Sequence, residues 1–195
     1  MDDNIIFPCR PGNLVYVPAE VDGKMEMVPA IVESVDCQRN IDKNGVFTYF
    51  RVYVEHEHVK NKAMPHLLAN RHIFFPEEIY PTKEASENPK KCNLETDRRF
   101  EYTYQTKFKP GDTVFIGAKK DFLYRPVCGR VLSARIILDE RDEALTIDEV
   151  FIVEHEFTHR HPGDKEKSVH PRNRDFFTAD ELFASQEEAK AAIAS

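Results

Sequence analysis

The sequence predicts a mainly β protein, a β-rich α+β fold made of two tandem small units, each followed by a short helix. Two observations carry this prediction. The first is an internal repeat: Val54-Glu55-His56-Glu57 returns 99 residues later as Val153-Glu154-His155-Glu156. At the same offset Pro11-Gly12-Asn13-Leu14-Val15-Tyr16-Val17 matches Pro110-Gly111-Asp112-Thr113-Val114-Phe115-Ile116. Val28, Val32 and Ser34 match Val127, Val131 and Ser133. Beyond the Val-Glu-His-Glu stretch the offset drifts, as a loop insertion would cause. Asn70-Arg71 then pairs with Asn173-Arg174, Phe74-Phe75 with Phe176-Phe177, and Glu78-Ile79-Tyr80 with Glu181-Leu182-Phe183. The matches keep their order and hydrophobic character, which is the mark of a duplicated unit. The units run over 5–87 and 100–195, with 88–99 as a linker. The second observation is local: short apolar or alternating runs rich in Val, Ile, Phe and Tyr, punctuated by Gly, Pro, Asn and Asp.

The elements follow in order. Ile5-Ile6-Phe7 opens the chain's apolar content. Pro11-Gly12-Asn13 is a turn that launches a strand from Leu14 to Val17. Pro18 to Lys24 reads as a polar loop with Asp22-Gly23 at its turn. Met25 to Val35 is a second strand, in which Pro29 marks an edge or bulge. Gln38 to Gly45 reads as a charged hairpin loop ending in the turn pair Asn44-Gly45. Val46 to Glu57 is a third strand with large side chains on both faces, suited to a curved sheet. Ile73-Phe74-Phe75 precedes Pro76-Glu77-Glu78, with Pro placed as at a first helical turn. In the linker, Asn88-Pro89-Lys90-Lys91 breaks structure. Phe100 to Phe108 alternates aromatic and polar residues and is expected to enter the second unit as a strand.

The second unit repeats the plan. Asp112 to Gly117 is a strand, Asp121 to Tyr124 a loop, and Val127 to Leu138 a long strand with Gly129 at a bend. Asp139 to Glu143 is a charged turn and Leu145 to Phe157 the third strand. Thr178-x-x-Glu181 and Ser185-x-x-Glu188 both have capping-box spacing. Leu182, Phe183, Ala189 and Ile193 place a helix at the end of the unit.

Composition excludes several classes. The chain has 195 residues, 41% hydrophobic and 31% charged, with a net charge of −7. No apolar run reaches the 18 or so residues that span a bilayer. The acidic Met1-Asp2-Asp3-Asn4 start lacks a signal-peptide pattern, so a cytoplasmic protein is expected. Cys9, Cys37, Cys92 and Cys128 form no Cys-x-x-Cys pair and read as reduced thiols. The acidic balance favours a protein partner over nucleic acid, whose backbone calls for basic surface.

The leading Lys109-Pro110-Gly111-Asp112-Thr113-Val114 stretch, two longer strands and a short helix-like end resemble the SH3-like small-barrel group, which includes Tudor and KOW modules. The Phe-Phe-Thr and Ser-x-Glu-Glu-Ala ending (Phe176 to Ala189) is similar to the tails of small uncharacterised proteins of bacteria and their phages. The resemblance implies two tandem SH3-like barrels that bind macromolecules and do not catalyse. Tudor-type modules hold methylated lysine or arginine in an aromatic cage. Phe122 and Tyr124 lie in the loop where such a module places its cage aromatics, although core or rim packing is the competing role, and Arg125 belongs to a locally basic set that could contact phosphate, read against solvated surface.

One motif points to an enzyme instead. His155-Glu156-Phe157-Thr158-His159 fits H-E-x-x-H, which on a helix puts two histidines one turn apart on a zinc, with Glu156 to polarise water. His161, His170 or Glu181 would supply a third ligand, and the metal set His155, His159 and His170 is the alternative to a metal-free, cofactor-free protein. Three features oppose it. Val150-Phe151-Ile152-Val153 favours a strand, and Pro162-Gly163 would cut a helix short. On a strand the histidines stand about 13 Å apart, and the twin copy has Lys60 in place of the second histidine. The histidines at the third-strand ends, His56, His58, His155 and His159, are also candidate binding residues, read against a plainer role as exposed loop side chains. The reading favoured is a non-enzymatic binding, adaptor or inhibitor protein; the alternatives are a zinc metallopeptidase and a nucleic-acid-binding module.

Overall fold

The computed structural model describes residues 4–59, 71–87, 92–117, 126–155 and 173–194. The protein is mainly β. In chain order the strands are β1 (Asn4–Phe7), β2 (Leu14–Val21), β3 (Lys24–Asp42), β4 (Gly45–Glu55) and β5 (Ile73–Phe74). A 3-10 turn (Pro76–Glu78) and α1 (Lys83–Glu87) follow. Then come β6 (Tyr102–Gln105), β7 (Thr113–Ile116), β8 (Val127–Arg141), β9 (Ala144–His155), β10 (Asn173–Thr178), β11 (Leu182–Phe183) and α2 (Gln186–Ala194). Strand pairing runs in the order β10-β9-β8-β3-β4-β5, with β2 also on β3, and β7 on both β8 and β11. This path is open among the described residues. β1 and β6 form a separate antiparallel pair.

Hairpin turns are tighter than the polar composition suggested. The expected loop from Pro18 to Lys24 is strand up to Val21, and Val21 faces Lys24 across a two-residue turn. Asp22 and Gly23 both take positive φ, 50° and 75°, the type I′ geometry that matches strand twist. Asp142 and Glu143 (φ 52° and 62°) turn β8 into β9 in the same way. The expected loop from Gln38 to Gly45 is likewise strand up to Asp42, and the Asp42 carboxylate accepts from Asn44 N at 2.7 Å. These charged segments are strand because ladder pairing, absent from any propensity scale, decides their state.

The chain divides into two compact units, and each draws on both halves of the sequence. Unit 1 comprises Met1–Cys37, Tyr49–Gln105 and Ile136–Asp148. Unit 2 comprises Gln38–Thr48, Thr106–Arg135 and Glu149–Ser195. Each unit thus contains the tip of the long hairpin rooted in the other half. In unit 1, Ile136 and Leu138 of the tip are fully buried, each stabilising by about 1.5–3 kcal/mol. They join a core that includes Phe7, Val15, Val17, Val32, Val52, Val54, Phe74 and Ile79. In unit 2 the core is built from Val114, Ile116, Val131, Phe151, Val153, Leu182 and Ala189.

Backbone contacts recur at the repeat offset. Gly12 N donates to Val32 O at 2.9 Å, and Val32 N to Asn13 O at 3.0 Å. Gly111 N donates to Val131 O at 2.8 Å, and Val131 N to Asp112 O at 2.9 Å. Both glycines need positive φ, 82° and 101°, which a side chain would strain. A Cβ on Gly12 would meet Glu140 Oε2 at 3.5 Å, and one on Gly111 would meet Ile41 Cδ1 at 3.4 Å. In each unit the lead turn therefore lies under the hairpin tip. The β5 register sets Phe74 opposite Val52, while in β10 it is Phe177 that faces Phe151. Phe74 thus answers to Phe177, one residue off the match drawn from sequence.

Three further expectations change. Tyr102–Gln105 does not lead into unit 2; it pairs with β1 inside unit 1, where Phe7 meets the Tyr102 ring at 6.4 Å and the Phe50 ring at 5.6 Å. Gly129 lies inside β8 in unbroken register with Val114, and a Cβ there would lie 2.5 Å from Val153 Cγ1 and 3.1 Å from Glu154 O, so glycine is what lets β9 pass. The Thr178-x-x-Glu181 box opens no helix. Glu181 Oε2 accepts from Thr178 N at 2.9 Å and closes a turn into β11, whereas Ser185 Oγ accepts from Glu188 N at 3.2 Å and caps α2. Of the thiols, Cys9 and Cys37 are buried, and burial pushes Cys9 up to about 12, so it stays protonated.

Residues 92–99 are held in unit 1. Leu94 N donates to Ile79 O at 2.9 Å and Asn93 Nδ2 to Glu77 O at 2.9 Å. Asp97 is buried, and Arg99 Nε donates to its Oδ1 at 2.9 Å. That hydrogen bond holds the Asp97 carboxyl below the usual carboxylate range.

Two outcomes test this description. Gly129→Val should destabilise by about 1–3 kcal/mol through overpacking, read as a lowered midpoint in urea unfolding. Asp97 has a depressed folded pKa, so its contribution is present above the unfolded value and lost as pH falls through the folded one. Asp97→Asn should therefore be less stable than the parent near neutral pH, with the gap closing as pH falls below about 4. A gap that stays constant down that pH series would contradict the assignment.

Candidate functional site

The strongest surface feature is the outer face of the β2–β3 hairpin in unit 1. Side chains alternate between faces along a strand. The inner set, Val15, Val17, Val28 and Ala30, is buried at 6% exposure or less. The outer set is apolar as well. Leu14 faces Ile31, Tyr16 faces Pro29, Pro18 faces Met27, and Glu20 faces Met25. Leu14, Ile31 and Met25 are 50%, 45% and 62% exposed. From Leu14 to Glu20 the row extends about 20 Å, at roughly 3.4 Å per residue. Opposed side chains in such pairs stand about 5 Å apart, so the row is continuous.

Local backbone chemistry explains why Pro29 fits here. Tyr16 exchanges both of its backbone hydrogen bonds with Tyr80, at 2.8 and 2.9 Å. Its N–H and C=O therefore point away from β3, and Pro29 is asked for no N–H on that side. The same bridge places Tyr80 beside Tyr16. Charged residues stand at the ends of the row: Glu20 on the outer face, Asp22 and Lys24 at the turn, and Glu33 two residues beyond Ile31. The corresponding pairs in unit 2 are more polar. Thr113 faces Arg130 and Phe115 faces Cys128.

The histidines do something else. His56 is buried, and its Nε2–H donates to Arg71 O at 2.8 Å. The carbonyl can only accept, so Nε2 carries a proton. His155 is buried at the end of β9, and its Nε2 donates to Asp175 Oδ2 at 2.8 Å, with the Phe177 ring at 5.9 Å. In both units this histidine ties the end of a third strand to the segment that pairs beside it. The two are not the exposed loop histidines expected, and burial removes them from the surface a partner meets. His58 is half-buried, 3.1 Å from Glu57 Oε1, with its ring 6.3 Å from that of His56.

The remaining candidates lie outside the described residues: Phe122, Tyr124 and Arg125 of the proposed cage loop, and Glu156, His159, His161 and His170 of the zinc reading. Glu181, the other suggested third ligand, is engaged with Thr178 in unit 2. His155, the first histidine of the H-E-x-x-H match, is a strand residue. Among the described residues no group of three or more His, Cys, Asp or Glu side chains is placed to hold a metal. Nor does any helix of the described residues have the length and apolarity to cross a membrane.

Sequence reasoning passed over the β2–β3 face, though a signal was there. Leu14-Val15-Tyr16-Val17-Pro18-Ala19 has no polar residue at either parity, so both faces of that strand had to be apolar. The chain matches no family model, no curated protein and no solved structure.

Because the outer row takes no part in the core, Leu14→Ser and Ile31→Ser should each leave unfolding free energy within about 0.5 kcal/mol of the parent. A chemical denaturation series on the two variants measures this. A loss as large as a core truncation would show that the row is covered within the folded chain.

Proposed function

We propose that this chain is a non-enzymatic binding protein, an adaptor or inhibitor acting in the cytoplasm through a protein partner. We further read its two units as products of an internal duplication of an SH3-like small-barrel module. The observation that carries the binding reading is the apolar outer row on β2 and β3. Contiguous exposed apolar surface of this kind costs solubility and commonly marks a protein interaction site. A tyrosine pair and two methionines add side chains suited to contact: aromatic area at low entropic cost and adaptable thioethers. The net charge of −7 weighs against a nucleic-acid backbone as the ligand. The contacts recurring at the 99-residue offset support the duplication. The two copies differ in their outer faces, so the binding role belongs to unit 1.

The test compares the parent chain with Leu14→Lys and Ile31→Lys as immobilised baits. A specific protein should be retained by the parent and lost from both variants, while all three baits keep the same unfolding midpoint. Recovery of nucleic acid alone, released by rising salt, would overturn the reading.

A further inference from the structure

We propose that unit 2 binds an oxyanion, a carboxylate or phosphate group, on the guanidinium of Arg39. This is a second site, carried by observations separate from those on the β2–β3 face of unit 1. Arg39 lies on the part of β3 that belongs to unit 2. Side chains two apart on a strand share a face, so Arg39 points the same way as Ile41. Ile41 lies over the lead turn of unit 2, where its Cδ1 would meet a Cβ on Gly111 at 3.4 Å. At the 99-residue offset Arg39 and Ile41 correspond to Leu138 and Glu140. Glu140 lies over Gly12 as Ile41 lies over Gly111, and Leu138 is fully buried in unit 1. Arg39 therefore sets a cation where the other copy sets a core leucine.

A second exchange runs in the same direction. In unit 1 the Phe7 and Phe50 rings meet edge to face at 5.6 Å. Their counterparts at the repeat offset are Thr106 and Glu149, and Thr106 Oγ1 donates to Glu149 Oε1 at 2.7 Å. Thr106 is buried. Glu149 shares its side of β9 with the buried Phe151 and Val153. Three inward positions that are apolar in unit 1 are thus polar in unit 2.

Thr106 and Glu149 satisfy each other, but Arg39 is left with unmet donors. Its Nε and Nη1 are buried, and neither has a hydrogen-bond partner. Arginine keeps its proton, and a buried cation without a partner is strongly destabilising. Carboxylates on the neighbouring segments bond elsewhere: Asp42 accepts from Asn44 N at 2.7 Å and Asp112 from Lys109 N at 3.0 Å. An oxyanion has the acceptors that Arg39 lacks. The planar guanidinium matches two oxygens of a carboxylate or phosphate through parallel N–H bonds, and Nε–H with Nη2–H forms such a fork. Arg39 as a whole is only half-buried, so a ligand reaches it from solvent without unfolding the unit.

Scanning calorimetry of the full chain tests this in sodium chloride, sodium phosphate and sodium succinate at equal ionic strength. Relative to chloride, the parent's midpoint should rise by about 3–6 °C once phosphate or succinate reaches tenfold its Kd. Arg39→Leu restores the residue used in the other copy. It should melt at or above the parent in chloride and show no rise with either anion. Arg39→Lys, which keeps the charge without the fork, should retain less than half of the rise. A rise with phosphate alone would identify a phosphate group as the ligand, and a rise with succinate alone a carboxylate; either supports the site. An equal rise in the parent and Arg39→Leu would be a general salt effect and would overturn the proposal. So would a parent indifferent to both anions, because water would then suffice for the guanidinium. A midpoint for Arg39→Leu well below the parent's in chloride would also overturn it, since Arg39 would then have its partner within the chain.

Discussion

Each unit of this protein is completed by a hairpin tip that comes from the other half of the chain, and most of the architecture depends on that. β3 and β8 are long because each must serve in two places: their roots build one unit and their tips another. Ile136 and Leu138 fill the core of unit 1. The two lead-turn glycines lie beneath the incoming tips, beside Glu140 in unit 1 and Ile41 in unit 2. The tip in unit 1 closes on Asp142-Glu143, both in left-handed backbone.

The repeated Val-Glu-His-Glu stretch now has a physical account that involves no catalysis. Its valines, Val54 and Val153, are fully buried. Its histidines anchor the neighbouring segment, one through a main-chain carbonyl of Arg71 and the other through the Asp175 carboxylate. A role of this kind asks for the same residue in both copies, because both copies have a third strand to fasten. In the second copy this histidine stands four positions before His159, which gives the H-E-x-x-H spacing.

Much of the strand content was legible in the sequence, because apolar periodicity and turn residues report directly on pairing and reversal. Asp22-Gly23 and Ser185 were read with the roles they have. The failures share a cause. Gln38–Asp42 and Asp139–Arg141 are charged enough to look like loops, and only long-range pairing makes them strand. Gly129 looked like a bend, but its lack of a side chain serves the close passage of Val153, a neighbour distant in sequence. For the binding surface the position was reversed: the apolar run from Leu14 to Ala19 announced a strand apolar on both faces. The histidines drew attention instead, although a buried, hydrogen-bonded ring cannot be told from a ligand by residue type.

The borrowed hairpin tips also bear on how the chain is made. Synthesis runs from the N-terminus, and a domain built from one contiguous segment can fold soon after it leaves the ribosome. Unit 1 lacks that option, since Ile136–Asp148 belong to it and emerge long after Gln105. Unit 2 in turn waits for α2 at the far end. Until Ile136 and Leu138 emerge, Val15, Val17 and their neighbours have no complete core, and the apolar β2–β3 hairpin stands open on both faces. Such pairings between distant residues form slowly. The nascent chain therefore passes through a long interval, from the emergence of Gln105 to that of Asp148, in which the strands of unit 1 are made but their core is not complete.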